Sequence, residues 1–377
     1  MRGVRSDNEM DVWRIAPTGG EPERLTQHNG EVSYVAPIDQ RTLMYVARDQ
    51  DGSGPWLWAL DVERKVTHRV SSGLEKYISL AASADGRRLV ATVANPSASL
   101  WSVPILDRVA EEKDAKAFPL PTVRALAPRF GGTSLFYLSS RGAGDGLWRY
   151  QKDEAVEIWK GSEGALFEPP AVSPDGRRVA VVLRRNGKLR LSVATADGAE
   201  LQTTGDLDVQ GAACWSPDEK WIVTGGADSR GPGLFKIPVE GGAPIRLADG
   251  LAFNPVWSRD GSLIAYVGAN VGLYAPLLAV HPDGSRVALP PINVPRAGER
   301  VRFLPDGKGV VYMQGLSQSQ DFWLLDLASK KTRPLTQLRN IAAMRTFDIT
   351  PDGKQIVFDR LRENSDIVLI DLPNRRP

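Results

Sequence analysis

The sequence predicts an all-β chain folded as a β-propeller of four-stranded antiparallel blades. Three observations lead there. A turn phrase typified by Ser173-Pro174-Asp175-Gly176-Arg177-Arg178 recurs eight times in 377 residues, and an apolar strand such as Val179-Ala180-Val181-Val182-Leu183 follows it. Aligned on those strands, Asp39, Asp85, Gly131, Asp175, Asp218, Asp260, Asp306 and Asp352 fall in register, with successive spacings of 46, 46, 44, 43, 42, 46 and 46. No long 3.6-residue apolar period competes with this pattern. A phrase returning at such a period marks a repeat architecture, which constrains function more than any single residue does.

Each element has a local cause. In the turn, Pro presets φ, Asp bonds nearby backbone and Gly accepts positive φ, which is what a tight hairpin needs. Variants such as Ser83-Ala84-Asp85-Gly86, Ser258-Arg259-Asp260-Gly261 and Thr350-Pro351-Asp352-Gly353 keep that chemistry. One strand precedes the turn and one follows it. A third is rich in Trp and Leu, as in Trp56-Leu57-Trp58-Ala59-Leu60, Leu100-Trp101-Ser102-Val103, Phe322-Trp323-Leu324-Leu325 and Ile367-Val368-Leu369-Ile370. A fourth ends polar, and hairpins joining successive strands make the unit antiparallel. Large rings at one shared phase fill the space between neighbouring sheets. A unit with two apolar faces must stack, and closing the stack into a ring removes exposed end sheets. The best helical stretch, 109–116, reads as a surface insertion.

Eight repeats predict eight blades, with seven as the alternative. Asp11-Val12-Trp13-Arg14-Ile15 and the closing phrase at 19–26 match third and fourth strands, so the chain begins in mid-blade. At the other end, 366–372 supplies a third strand with no fourth. The simplest closure pairs 23–26 with the last blade. That gives a partial blade or ragged segment at 1–22, one propeller domain over 23–373 and a tail at 374–377, with a ring missing an upstream piece as the alternative.

Composition narrows the function. Lys plus Arg total 47 against 45 Asp plus Glu, scattered along the chain, which disfavours nucleic acid as a partner. No apolar run approaches the length of a membrane span, and no signal-peptide pattern opens the chain. The single Cys214 cannot form an internal disulfide and reads as a small buried hydrophobe. No cofactor is expected, and the chain is expected to be a monomer.

Enzymatic patterns fit poorly. Asp321-Phe322-Trp323 echoes a kinase metal motif but lies in a propeller strand, and Gly142-Ala143-Gly144-Asp145-Gly146 joins two strands instead of opening a helix. No Gly-x-Ser-x-Gly elbow occurs. His28, His68 and His281 read as surface histidines. A weak calcium candidate is Asp49, Asp51 and Ser53, whose alternate oxygens resemble the start of a calcium loop, but a hairpin connection is the stronger reading.

What remains is binding at the mouth of the ring. Residues seven or eight before each turn Asp fall where the innermost strands begin: Glu31, Tyr77, Arg124, Glu168, Gln210, Phe253, Glu299 and Arg345, with Asn254 and Arg300 beside them. Aromatics, charges of both signs and an amide on one rim form a candidate recognition surface for a protein, peptide or small ligand.

The phrase Ser-Pro-Asp-Gly-Lys/Arg, the apolar strand, the aromatic strand and a Gly-Gly-x-Pro-x-Arg-Leu-Thr close together resemble the TolB-type WD-like propeller repeat over residues 11 to 372. The fullest copies are 173–183, 216–224, 258–267 and 350–358, while Asp39 and the Gly131-Gly132 turn depart from the pattern. Such propellers are similar to TolB of the Tol-Pal system, to gating domains of prolyl oligopeptidase-like peptidases and to sensory domains of bacterial membrane serine/threonine kinases. The stretch from Thr346 to Leu372 resembles the kinase-associated group. The resemblance implies a non-catalytic sensory or scaffold propeller outside the cytoplasm. A propeller hydrolase or lyase with a site in the central funnel, or a Tol-Pal-like envelope scaffold, are the alternatives.

Overall fold

In the computed structural model, the structure describes residues 2–4, 10–28, 31–49, 54–71, 75–94, 97–122, 124–140, 145–159, 166, 168–185, 188–198, 202–203, 207–316, 319–339, 342–362 and 364–372. Among these there is no α-helix, and no helix is long and apolar enough to cross a membrane. The stretch 109–116 holds one 3₁₀ turn, Glu112–Asp114.

Six antiparallel units succeed one another around an axis, five of four strands and one, blade 4, with a fifth strand, Asn293–Pro295, paired to 274–276. Blade 1 is Leu126–Gly131, Ser134–Ser140, Asp145–Gln151 and Glu154–Trp159. Blade 2 is Ala171–Val172, Arg178–Arg185, Lys188–Thr195 and Gln202–Thr203. Blade 3 is Asp208–Trp215, Trp221–Asp228, Gly231–Pro238 and Ile245–Asp249. Blade 4 is Phe253–Trp257, Ile264–Val267, Tyr274–Val280 and Arg286–Val287. Blade 5 is Val301–Phe303, Gly309–Gln314, Asp321–Asp326 and Thr332–Pro334. Blade 6 joins Phe347–Ile349 and Gln355–Arg362 to Ser97–Pro104 and Lys116–Ala117. Innermost strands touch in cyclic order, and blade 6 packs back on blade 1.

The core lies between blades. Phe136, Val181 and Leu183 are buried between blades 1 and 2. Between blades 5 and 6, Phe322 meets Phe347 and Phe358 edge-to-face at centroid distances of 5.0 and 5.4 Å, and all three are fully buried. Burying one such ring contributes about 1.5–3 kcal/mol.

Three further sheets stack beside this ring. They are Arg2–Val4, Met10–Arg14 and Glu23–Arg24; then Val32–Pro37, Thr42–Ala47, Trp56–Asp61 and Val66–Arg69; then Lys76–Ala82, Arg88–Ala94 and Ser365–Asp371. The all-β propeller architecture expected from the repeats is present, but its closure differs in three ways. The six-unit cycle replaces one ring of eight or seven. Residues 23–24 pair with 13–14, where the simplest closure paired 23–26 with the last blade. Third strands are exchanged: Ser97–Pro104 pairs with Gln355–Arg362 over eight residues, and Ser365–Asp371 pairs with Arg88–Ala94 over seven. The physical reason is that strand alternation is the same in both hairpins, so either third strand fits either second strand. The exchange places Trp101 opposite Phe358, with the Arg360 guanidinium 4.3 Å from the Trp101 ring. Arg360 also holds Glu112 through two bonds of 2.9 and 2.8 Å. On the outer face of the third sheet Val90, Ile367 and Leu369 are exposed. The tail 374–377 lies outside the described residues.

Turn and closing phrases have visible jobs. Asp175 Oδ1 accepts from the Ser173 hydroxyl at 2.6 Å and the Arg177 N–H at 2.9 Å, while Ser173 Oγ accepts from the Arg178 N–H at 2.9 Å. The same clasp recurs at Ser216/Asp218, Ser258/Asp260 and Thr350/Asp352. Gly176 has φ of +75°, and a Cβ there would sit 2.4 Å from the Gly131 carbonyl oxygen of the neighbouring blade. Asp321 accepts from the Thr336 hydroxyl at 2.8 Å and the Leu338 N–H at 2.8 Å, just as Asp11 accepts from Thr26 at 2.7 Å and the His28 N–H at 2.8 Å. The kinase-like Asp-Phe-Trp triplet is therefore a strand-to-strand fastener.

Candidate functional site

The clearest concavity lies on the axis of the six-unit ring. Its volume is about 410 Å³, and every blade contributes to its wall. The first strands carry it: each enters along the axis and leaves through the Asp-Gly turn, so the turn end of each strand faces the cavity. Trp215 and Trp257 form part of the wall, with Cys214 between them in the fold. Trp215 donates its ring N–H to the Ala171 carbonyl at 3.0 Å, and the Trp257 backbone N–H points to Cys214 Sγ at 3.4 Å. Cys214 packs against the Val223 and Leu234 core cluster, as expected of a small hydrophobe, and also lines the cavity; burial pushes its thiol pKa up, which keeps it protonated and a poor nucleophile.

Charged residues in the wall are bound to one another. Glu299, 3% exposed, receives Arg302 Nη2 at 3.0 Å and also pairs with Arg129. Arg302 Nε lies 3.5 Å from Asp348 Oδ1, and Asp348 Oδ2 accepts the Phe130 N–H at 2.8 Å. Burial lowers the pKa of both Arg129 and Arg302. A buried ion cluster of this kind costs desolvation that its own Coulomb energy offsets, so it fixes geometry more than it adds stability. Chemically the two carboxylates are committed to guanidiniums and backbone N–H groups. That arrangement suits a rigid polar anchor and leaves neither carboxylate free as a general base.

The rim expected from the repeat offset is only partly assembled. Arg124, Glu168, Gln210, Phe253, Asn254, Glu299, Arg300 and Arg345 all lie at or near the starts of first strands in the ring, at the end opposite the Asp-Gly turns. Glu31 and Tyr77 do not join them, because their strands belong to the stacked sheets. Glu31 is exposed and pairs with Arg48 at 2.9 Å. Tyr77 is half-buried in the core between its own sheet and the neighbouring one, and burial raises its phenol pKa. Within the rim, Asn254 bridges blades by accepting from the Ala212 N–H at 2.9 Å and donating to the Gly298 carbonyl at 2.8 Å. Arg300 is buried, donates to the Ala297 carbonyl at 2.8 Å and to the Met344 carbonyl, and is pushed down to about 10 by burial. Arg345 is exposed. Burial lifts Glu168 to about 7, and the Gln210 side-chain oxygen is buried with no hydrogen-bond partner among the described residues.

Only Glu299 belongs both to the expected rim and to the cavity wall. Sequence reasoning missed Arg129, Arg302, Asp348 and Arg259, which line the cavity. The signal was present one residue before each turn Asp: Phe130, Pro174, Pro217, Arg259, Pro305 and Pro351 all line the turn-side cavity. Asp49 of the weak calcium candidate pairs with Arg69 at 3.2 Å, and Asp51 and Ser53 lie outside the described residues, as do Gly142, Ala143 and Gly144. No group of three or more His, Cys, Asp or Glu that could hold a metal occurs among the described residues. His28 is buried, contrary to the surface position expected. Its Nε2 lies 2.6 Å from the Tyr45 hydroxyl, its ring packs edge-on to Trp58 at 4.5 Å, and burial lowers its pKa.

No protein-family profile and no curated protein matches the chain. Solved structures do. A protein assigned as TolB from Agrobacterium tumefaciens superposes with a TM-score of 0.53 at 18% identity, covering 72% of this chain and 100% of that one. TolB from Acinetobacter baumannii gives 0.45 at 13% identity, covering 90% and 80%. An oligogalacturonate lyase from Vibrio parahaemolyticus gives 0.44 at 13% identity, covering 96% and 96%. The first of these likenesses shows the fold, a TolB-type β-propeller.

Proposed function

We propose that this TolB-type propeller is a non-catalytic binding module that takes a protein segment, peptide or small ligand into its axial funnel, as the sensory or scaffold part of a bacterial signalling protein such as a serine/threonine kinase, outside the cytoplasm. One observation carries the reading: a cavity built by all six blades, in which Glu299 and Asp348 are tied to Arg129, Arg302 and backbone N–H groups. A rigid ring presents such a cavity preformed, so little ordering opposes binding. The opposite rim, with Arg124, Glu168, Gln210, Phe253, Asn254, Arg300 and Arg345, supplies a second polar contact zone.

The test pairs capture with turnover. Ligand retained by the purified chain should be lost in Pro217→Trp, which fills the funnel mouth, and kept in Glu31→Ala and Tyr77→Ala. Peptide and sugar-acid substrates should be returned unchanged. Turnover abolished by the same Pro217→Trp change would replace this reading with that of a funnel enzyme.

A further inference from the structure

The funnel mouth carries one position that breaks its own repeat. Immediately before the turn Asp or its equivalent, the six blades present Phe130, Pro174, Pro217, Arg259, Pro305 and Pro351 to the cavity. Five of these are apolar. Prolines contribute no N–H, so this collar offers a ligand hydrophobic contact and almost no hydrogen bonding.

Arg259 is exposed and makes no hydrogen bond or ion pair with the described residues. The other ionised groups of the wall are Arg129 and Arg302, which pair with Glu299 and Asp348. Among the described residues lining the cavity three guanidiniums face two carboxylates, and Arg259 is the guanidinium that neither carboxylate holds. A guanidinium matches a carboxylate by two parallel N–H···O bonds, which are stronger and more directional than neutral ones. A dianionic phosphate would instead leave a net negative charge against low-dielectric proline walls.

We propose, on the basis of the funnel reading above, that Arg259 selects a carboxylate attached to an apolar body, which the Phe130 and proline collar receives. The carboxylate has two sources, the C-terminus of a peptide or a small organic acid.

Isothermal titration with N-acetyl-Ala-Ala-Phe as free acid and as amide tests this, with D-galacturonate as a carboxylate that lacks an apolar body. The free acid should bind at least 10-fold tighter than its amide, Arg259→Gln should bring the two together, and added salt should weaken only the acid. Because Arg259 makes no internal bonds, the variant should fold as the parent does. Tight binding of the tripeptide acid with weak binding of galacturonate assigns a peptide terminus; tight galacturonate with weak tripeptide binding overturns the proposal, because it removes the apolar-body requirement. Equal affinity for acid and amide, an acid preference that survives Arg259→Gln, or no saturable binding of any carboxylate overturns the proposal. In the first two cases, loss of the amide's binding in Pro217→Trp would show that the funnel still binds, separating failure of the charge assignment from failure of the funnel reading.

Discussion

Glu31 and Glu299 both precede a first strand, eight and seven residues before the turn Asp, yet their replacement should have very different effects. Glu299→Ala removes the carboxylate that receives Arg302 at 3.0 Å and also holds Arg129, in a wall where all three side chains are buried. At an effective dielectric of about 20, one unit pair at that distance is worth about 5 kcal/mol of attraction. Desolvation offsets most of it in the intact cluster. Once the anion is gone, however, Arg129 is left with the carbonyl oxygens of Pro128 and Phe347, while Arg302 keeps the Val301 carbonyl at 2.8 Å and the longer contact to Asp348. Leaving a buried charge unpaired costs about 3–5 kcal/mol; the residual Asp348 contact places Glu299→Ala near the lower end. Glu31→Ala breaks an exposed pair with Arg48, whose side chains are 63% and 39% exposed, and should cost less than about 0.5 kcal/mol. Urea denaturation followed by tryptophan fluorescence measures both, with an unchanged m-value confirming that stability alone has moved. A Glu299→Ala loss below about 1 kcal/mol, or one equal to that of Glu31→Ala, refutes the reasoning.

Three further outcomes are expected. A fragment of residues 97–362 should fold cooperatively as a monomer, because Ser97–Pro104 and Lys116–Ala117 complete blade 6 within it; size-exclusion chromatography and circular dichroism check this, and an aggregated or molten fragment would count against the exchanged closure. Burial holds Glu168 near 7 in the folded chain against an ordinary value of 4.5, so the folded state retains its proton longer than the unfolded state. Stability should therefore fall as pH rises from about 4.5 to about 7 and level off above, and Glu168→Gln should remove that segment of the pH profile measured by denaturation. Gly176→Ala should cost well over the roughly 1–2 kcal/mol of a left-handed alanine, because its Cβ also meets the Gly131 carbonyl, whereas Gly261→Ala, at φ of +77° in open space, should cost only that amount in thermal melts.

Blade chemistry was legible in the sequence because it is local. The Ser-x-Asp-Gly clasp, the aromatic third strand and the Leu-Thr close each act within a few residues or one hairpin. Closure was not legible, because it depends on which of two equivalent partners a strand meets. Leu100 and Leu369 both sit in alternating apolar strands, and only the tertiary contacts of Trp101 with Phe358 and of Arg360 with Glu112 distinguish the pairings. The site was half legible for the same reason. Repeat offsets point to the strand starts, whereas the cavity lies at the turn ends. Glu31 and Tyr77 satisfied the offset and still lie outside the ring, since an offset fixes a place in a blade and says nothing about which array the blade joins. Arg259 was printed inside a recognised turn variant; its meaning appears only when five other turns place Phe or Pro beside it.

The most direct test of the funnel as the binding centre is hydrogen–deuterium exchange of the intact chain with and without saturating N-acetyl-Ala-Ala-Phe. Slowed exchange should concentrate in the turns 130–132, 174–177, 217–219, 259–261, 305–307 and 351–353, which meet around the axis. Protection confined to the sheets containing Glu31 and Tyr77 or to the outer strands of the blades, or no protection anywhere, would contradict it.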